Sequence, residues 1–170
     1  MLAGFGIRDS VVDIPNLQFK ENFKYETSIA LSKSDNIKQI EEYFDSYKIA
    51  QGITQIWKLI AKTNKYIDET SPWILAKSED DKEKLEAVMY HLVENLRKIA
   101  ILINPFMTET SNKIFEQLGL NNKDLQKWTS IYNYDLLPEN IKVIEKGEPL
   151  FVRLDKEEEI EYIKEGMKNG

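Results

Sequence analysis

The stretch KIAQGITQIWKLIAKTNKYIDETSPWILAK, residues 48–77, contains the apolar spacing that decides the fold class. Its apolar residues recur at intervals of three and four, as on one face of a helix: Ile49, Ile53, Ile56, Trp57, Ile60, Ala61 and Ile67. This spacing predicts a helix from about Lys48 to Asp68. Because Ser71 precedes a proline, helical geometry is disfavoured there, so the helix should end and Pro72 should open a new helical turn.

Three more amphipathic stretches surround this helix. The first begins after Ser34 and Asp35, either of which suits a helix cap, and places one face inward: Ile37, Ile40, Phe44 and Tyr47. The next runs from about 80 to 103 behind a predicted capping box at Ser78–Asp81. The last ends at Gly119, and Leu120 should fold back on its final turn. Short connections between such helices predict an all-α fold, an antiparallel helix bundle.

The domain organisation follows from where this periodicity starts and stops. Residues 34–120 form the predicted bundle, and residues 1–33 have no sustained period and stay unassigned. Residues 121–170 are predicted to form a strap, EPLFVRLD at 148–155, and a charged C-terminal helix packed on the bundle. A chain of 170 residues suits one hydrophobic core.

The composition excludes most of the familiar hydrolytic chemistry. The chain has no cysteine, which excludes disulfides, thiolate zinc sites and cysteine nucleophiles, and His91 is its single histidine. We expect His91 to be a boundary residue without a catalytic role, and the acidic run 157–159 to be a solvated helix face. No glycine-rich phosphate loop is present. The sequence therefore predicts no metal, no cofactor and no catalytic residue in this chain, and, without a membrane segment or signal peptide, a cytoplasmic location.

The charge distribution leaves one candidate binding region. The net charge of −6 disfavours a wide nucleic-acid-binding face, but residues 48–77 hold five lysines against two acids. Lys58, Lys62 and Lys65 form a stripe that leads to Pro72 and Trp73, and an exposed aromatic beside lysines suits unpaired nucleic-acid bases. The alternative is a solvated lysine face beside a buried tryptophan, and the residues alone leave both interpretations open.

Three blocks of sequence point to a family: IWKLI at 56–60, NKYIDETSPW at 64–73 and LINPFM at 102–107. Through them, residues 37–120 resemble the anticodon-binding helical domain of bacterial methionine-tRNA ligases, and residues 149–163 resemble that family's strap and closing helix. The resemblance implies that Trp73 stacks on a base of the CAU anticodon of methionine tRNA, that Pro72 fixes its turn, and that Trp57 belongs to the core. Lys65 and Lys77 are candidate phosphate contacts from their spacing alone.

Two departures from the family limit what this chain would do. The family also reads the anticodon with an asparagine followed four residues later by an arginine, a pair that none of Arg8, Arg97 and Arg153 completes. The catalytic domain, which would bind ATP, does not fit in this length, and Ala30–Ser34 only partly echoes one of its signatures. We therefore expect a non-catalytic anticodon-recognition module that partners a catalytic domain. The alternative is a free-standing interaction or scaffold bundle without nucleic-acid binding.

Overall fold

The structure is a computed structural model that describes residues 13–14, 34–133, 136–138, 141–144, 147–151 and 155–168. The helices of this part are α1 (Ser34–Asp45), α2 (Ile49–Thr70), α3 (Pro72–Leu75), α4 (Lys82–Ile103), α5 (Thr108–Gln117) and α6 (Lys156–Lys168). Short 3₁₀ turns lie at Glu79–Asp81, Lys123–Gln126 and Trp128–Tyr132. Two short strands, β1 (Asp13–Ile14) and β2 (Ile141–Lys142), pair antiparallel with Asp13 opposite Lys142. The all-α class predicted from the sequence is confirmed, and no described helix is long and apolar enough to cross a bilayer.

Helix α4 is the centre of the core. It packs against α2, α3, α5 and the 3₁₀ turns on both sides of the bundle. Between Ala87 and Ile103 nearly every side chain is buried, including four that are polar or charged: Glu94, Asn95, Arg97 and Lys98. This part of α4 is surrounded by other elements and has almost no solvated face. An apolar stripe with a three- and four-residue spacing therefore accounts for only some of the residues that α4 buries.

The buried face of α2 differs from the predicted one. Ile56 and Ile67 are buried as expected, whereas Ile49, Trp57 and Ala61 are exposed. The face that is buried contains two threonines and a glycine: Gly52, Ile56, Leu59, Thr63, Tyr66, Ile67 and Thr70. The threonines are tolerated inside because their hydroxyls donate to Leu59 O at 3.1 Å and Tyr66 O at 2.7 Å. Gly52 belongs to this face because a Cβ there would lie 2.2 Å from the Phe44 ring.

Two predicted helix boundaries were wrong. Tyr47 does not continue the inward face of α1, because α1 ends at Asp45 and Tyr47 is exposed with a φ of 58°. The Ser78 side chain makes no capping hydrogen bond among the described residues. Residues Glu79–Asp81 instead form a 3₁₀ turn, in which Asp81 N–H donates to Ser78 O at 3.3 Å, and α4 begins at Lys82.

The predicted end of α5 is confirmed. Gly119 has a φ of 67°, and its N–H donates to Glu116 O at 2.9 Å. The N–H of Leu120 donates to Phe115 O at 2.9 Å, and the Leu120 side chain is buried. These two bonds form a Schellman motif, in which the residue after the glycine folds back on the last turn.

The segment after the bundle is held by polar contacts. Trp128 Nε1 donates to Glu41 Oε1 at 2.5 Å, and the Tyr132 hydroxyl donates to the same carboxylate. Gln117 Nε2 donates to Glu148 O in the strap at 2.7 Å. Helix α6 has no buried residue, so its packing on the bundle stays a prediction, as do the domain boundaries at residues 33 and 120.

Candidate nucleic-acid interface

A sharp turn joins α2 to α3 and sets the direction of Trp73. Ser71 lies in the left-handed region with φ 44° and ψ 59°, which ends α2. Its N–H donates to Ile67 O at 2.9 Å and its Oγ to Asp68 O at 3.0 Å, so two of the last four carbonyls of α2 are satisfied by Ser71. Pro72 is the first residue of α3 and is buried. The predicted helix end and new turn at Ser71–Pro72 are confirmed.

Trp73 follows this turn and lies at the surface. Its side chain is 39% exposed, whereas the neighbouring residues Pro72 and Leu75 are buried in the bundle. Large aromatic residues are normally more buried than this, so part of Trp73 faces solvent. The alternative of a tryptophan buried in the core does not describe Trp73.

The predicted lysines are exposed, and one of them, Lys65, forms an ion pair with a neighbouring acid. The Lys65 side chain is 69% exposed, and its Nζ lies 3.1 Å from Glu69 Oε1 one turn further along α2. Lys58, Lys62 and Lys77 are also exposed. Lys77 comes four residues after Trp73, and its N–H donates to Ile74 O at 3.1 Å, which ties it to the same short helix. The positive charge near Trp73 is therefore partly neutralised at Lys65.

The described arginine is not available as an anticodon reader. Arg97 is fully buried and donates to Glu94, to Leu125 O and to Ser130 Oγ. The other two arginines of the chain lie outside the described residues, as does Ala30–Lys33. His91 is half-buried beside Tyr66 and Tyr90, and desolvation lowers its pKa below the ordinary value of 6.5. It matches the expected boundary histidine.

The structure places Trp57 differently from the expected core role. It is 52% exposed and lines an apolar cleft between α2, α4, α5 and the strap. Asn64 is exposed and also lines this cleft. A hint was present in the sequence: Trp57 lies at the border between the apolar stripe and the lysine stripe. Spacing alone does not tell which side of that border is covered.

Comparisons with known proteins identify the family to which this chain belongs. A family model described as the anticodon-binding domain of tRNA ligase matches residues 29–168. The methionine–tRNA ligase of Listeria innocua is 47% identical over 147 residues, which are 86% of this chain and 22% of that protein. The methionine–tRNA ligase of Bacillus subtilis is 45% identical over 144 residues, 85% of this chain and 21% of that protein. The apo form of Mycobacterium tuberculosis methionyl-tRNA synthetase shares the fold, with a TM-score of 0.70 at 22% identity, over 91% of this chain and 31% of that one.

The helical fold and the family match together define the class of protein. This chain belongs to the anticodon-binding domain family of tRNA ligases. Within that family it is similar to the anticodon-binding part of methionine–tRNA ligases, as the resemblance in its sequence indicated. The chain spans about a fifth of the length of the curated relatives it matches, 22% and 21% for the two described above.

Proposed function

We propose that this chain binds the CAU anticodon loop of methionine tRNA, as the recognition module of a methionine–tRNA ligase. The parent reaction would attach methionine to its tRNA with ATP. A catalytic domain outside this chain would bind the ATP and carry out that reaction, so the isolated chain would have no ligase activity. A cytoplasmic location, where such a ligase meets its tRNA, belongs to the same proposal.

The single observation that carries the proposal is the exposure of Trp73 on a fixed turn. Because Ser71 and Pro72 set the backbone and Pro72 is buried, the indole is presented without a large loss of conformational freedom on binding. Stacking of an unpaired base on an aromatic side chain stabilises binding by about 1–3 kcal/mol. Exposed lysines on α2 and at Lys77 would attract the phosphates on either side.

Within this proposal Pro72 has a positioning role and does not contact the RNA itself, since it is buried at the start of α3. Lys77 is the stronger of the two proposed phosphate contacts. Lys65 shares its charge with Glu69, at 3.1 Å, and would have to give up that partner to bind a phosphate fully. The net charge of −6 makes the affinity of the isolated chain modest and strongly dependent on salt.

The test compares two neighbouring substitutions in a titration with the anticodon stem-loop of methionine tRNA. Trp73→Ala should weaken binding about 10- to 100-fold, as expected from the loss of one stacked base. Ile74→Ala is the matched control, because Ile74 is exposed in the same short helix and is also a large apolar residue, and it should leave the affinity within about twofold. Equal affinities of Trp73→Ala and the parent chain would overturn the proposal in favour of a scaffold bundle.

A further inference from the structure

The apolar cleft beside Trp57 has the size and lining of a small-ligand site. Its volume is about 340 Å³, and small-molecule pockets in proteins occupy roughly 300–1,000 Å³. The walls are apolar side chains from α2, α4 and α5, among them Ile60, Leu96, Ile99 and Ile114. Among the described residues nothing fills this cleft, and an apolar occupant would gain from its surface.

Two aromatic side chains from different parts of the chain line this cleft. Trp57 from α2 is 52% exposed, and Phe151 from the strap is 67% exposed. Two exposed aromatic rings at one cleft favour a planar aromatic ligand, because aromatic rings attract each other in offset-stacked or edge-to-face arrangements. A nucleobase is such a ligand, and every base has a face that stacks.

Polar groups at the rim offer hydrogen bonds to the edge of a base. Asn64 lies seven residues after Trp57 on the same side of α2, and its amide supplies both a donor and an acceptor. Thr110 of α5 also lines the cleft and has a hydroxyl. The amide nitrogen of Gln117, in contrast, already donates to Glu148 O at 2.7 Å. Asn64 and Thr110 are therefore the groups that would contact the edge of a base.

The charges beside the cleft suit a phosphate backbone on the α2 side. Lys58 and Lys62 are exposed and lie one position after Trp57 and Ala61, so they form the adjacent row of the same helix. Exposed acids also lie on the elements that line the cleft: Asp68 and Glu69 on α2, Glu83 on α4, Glu109 and Glu116 on α5, and Glu148 and Asp155 in the strap. The lysine row directly follows the cleft-lining residues Trp57 and Ala61 and gives the cleft a positive edge there.

We propose that this cleft holds an unpaired base of the bound RNA, with the ring against Trp57 and Phe151, the base edge at Asn64 and the backbone along Lys58 and Lys62. The inference rests on the proposed RNA-binding function. Thirteen residues separate Trp57 from the end of α2, which at 1.5 Å per residue is about 20 Å. The base in the cleft is therefore a different one from the base on Trp73, and the RNA contacts the middle of α2 as well as the turn that follows its end.

The test is a titration of the folded chain with a full-length methionine tRNA transcript. Trp57→Ala should weaken tRNA binding about 10-fold or more. Trp57→Phe keeps an aromatic ring, so its affinity should fall by less than half of the factor found for Trp57→Ala. Asn64→Asp should also weaken binding at least several-fold, because it places a negative charge at the rim without changing the size of an exposed side chain. Ile49→Ala is the control, since Ile49 is exposed on α2 and does not line the cleft, and it should bind like the parent.

The outcomes separate this inference from the proposed function. If Trp73→Ala weakens binding while Trp57→Ala and Asn64→Asp bind like the parent, the cleft inference fails and anticodon recognition stands. If neither tryptophan matters, both fail. Sedimentation of the chain without RNA tests whether a second copy of the chain occupies the cleft. If the parent chain is a dimer and Trp57→Ala is a monomer, a second copy fills the cleft and the inference is overturned.

Discussion

Arg97 and Glu94 form a two-point ion pair inside the bundle, with Nη2 donating to Oε1 at 2.7 Å and Nε donating to Oε2 at 2.8 Å. The same guanidinium donates to Leu125 O and Ser130 Oγ, both at 2.8 Å. Lys98 Nζ lies 3.5 Å from Glu94 as a second cation, although burial lowers the pKa of Lys98. One buried arginine thus connects α4 to the segment that follows the bundle.

Removing Arg97 should destabilise the fold severely. Arg97→Met keeps most of the side-chain volume but leaves the buried Glu94 carboxylate and three further acceptors, Leu125 O, Ser130 Oγ and Ser130 O, without the guanidinium, which should cost about 3–5 kcal/mol of the free energy of unfolding. Urea unfolding measures this cost. Lys113→Met on the exposed side of α5 is the control and should change it by about 0.5 kcal/mol at most. A loss below about 1 kcal/mol for Arg97→Met would show that the ion pair is dispensable.

Gly119 and Gly166 form a matched pair for a glycine-to-alanine comparison. A Cβ at Gly119 would lie 2.2 Å from Lys142 O, at a φ of 67° that costs L-residues about 1–2 kcal/mol. At Gly166 in α6 a Cβ would meet nothing within 4 Å. Gly119→Ala should therefore lower the melting temperature by several degrees, whereas Gly166→Ala should leave it unchanged or raise it slightly. The same response in both variants would contradict the described α5 end.

Two helix ends were predictable from the sequence, whereas the exposure of Trp57 was not. The Ser71–Pro72 turn and the Gly119–Leu120 motif follow from local backbone chemistry, and the structure has both. The exposure of Trp57 and the burial of Arg97 depend on which elements meet in three dimensions. The partners of Arg97 in the later segment lie 28 and 33 residues away, and nothing in the spacing of α4 identifies them.

In the candidate site, too, the features set by local sequence were predictable and those set by tertiary contacts were not. The sequence located Trp73 and Pro72 correctly at a turn after a lysine-bearing helix. The Lys65–Glu69 pair was present in the sequence as an i, i+4 spacing, which is the helix geometry that permits an ion pair. The cleft beside Trp57 had no sequence signal, because its walls come from three helices and the strap.

Lowering the pH should expose the contribution of His91. Burial lowers the pKa of His91 in the folded chain, whereas in the unfolded chain it titrates near 6.5, so the unfolded state binds the extra proton first. The contribution of neutral, buried His91 to the free energy of unfolding is therefore fully present above about pH 6.5 and is lost as the pH falls below that value. The drop in unfolding free energy between about pH 7 and pH 5 should therefore be smaller for His91→Gln than for the parent chain. Urea unfolding at the two pH values tests this, and equal drops would rule out the His91 effect.

Glu69 should limit the RNA affinity through its pair with Lys65. Glu69→Gln removes the partner at 3.1 Å and one negative charge near Trp73, so tRNA should bind about two- to fivefold more tightly at low salt. The gain should shrink as salt screens the charges. Glu161→Gln on α6 changes the net charge equally and serves as the control, with little effect expected. If both variants gain alike, the effect belongs to the net charge and not to Lys65.

Anticodon recognition through Trp73 is tested most directly by competition between two stem-loops that differ only in the anticodon triplet. Titration of the parent chain should show at least a tenfold preference for the CAU loop over a loop with an unrelated triplet, and Trp73→Ala should weaken binding to the CAU loop about 10- to 100-fold. Equal affinity of the parent chain for the two loops would contradict anticodon recognition.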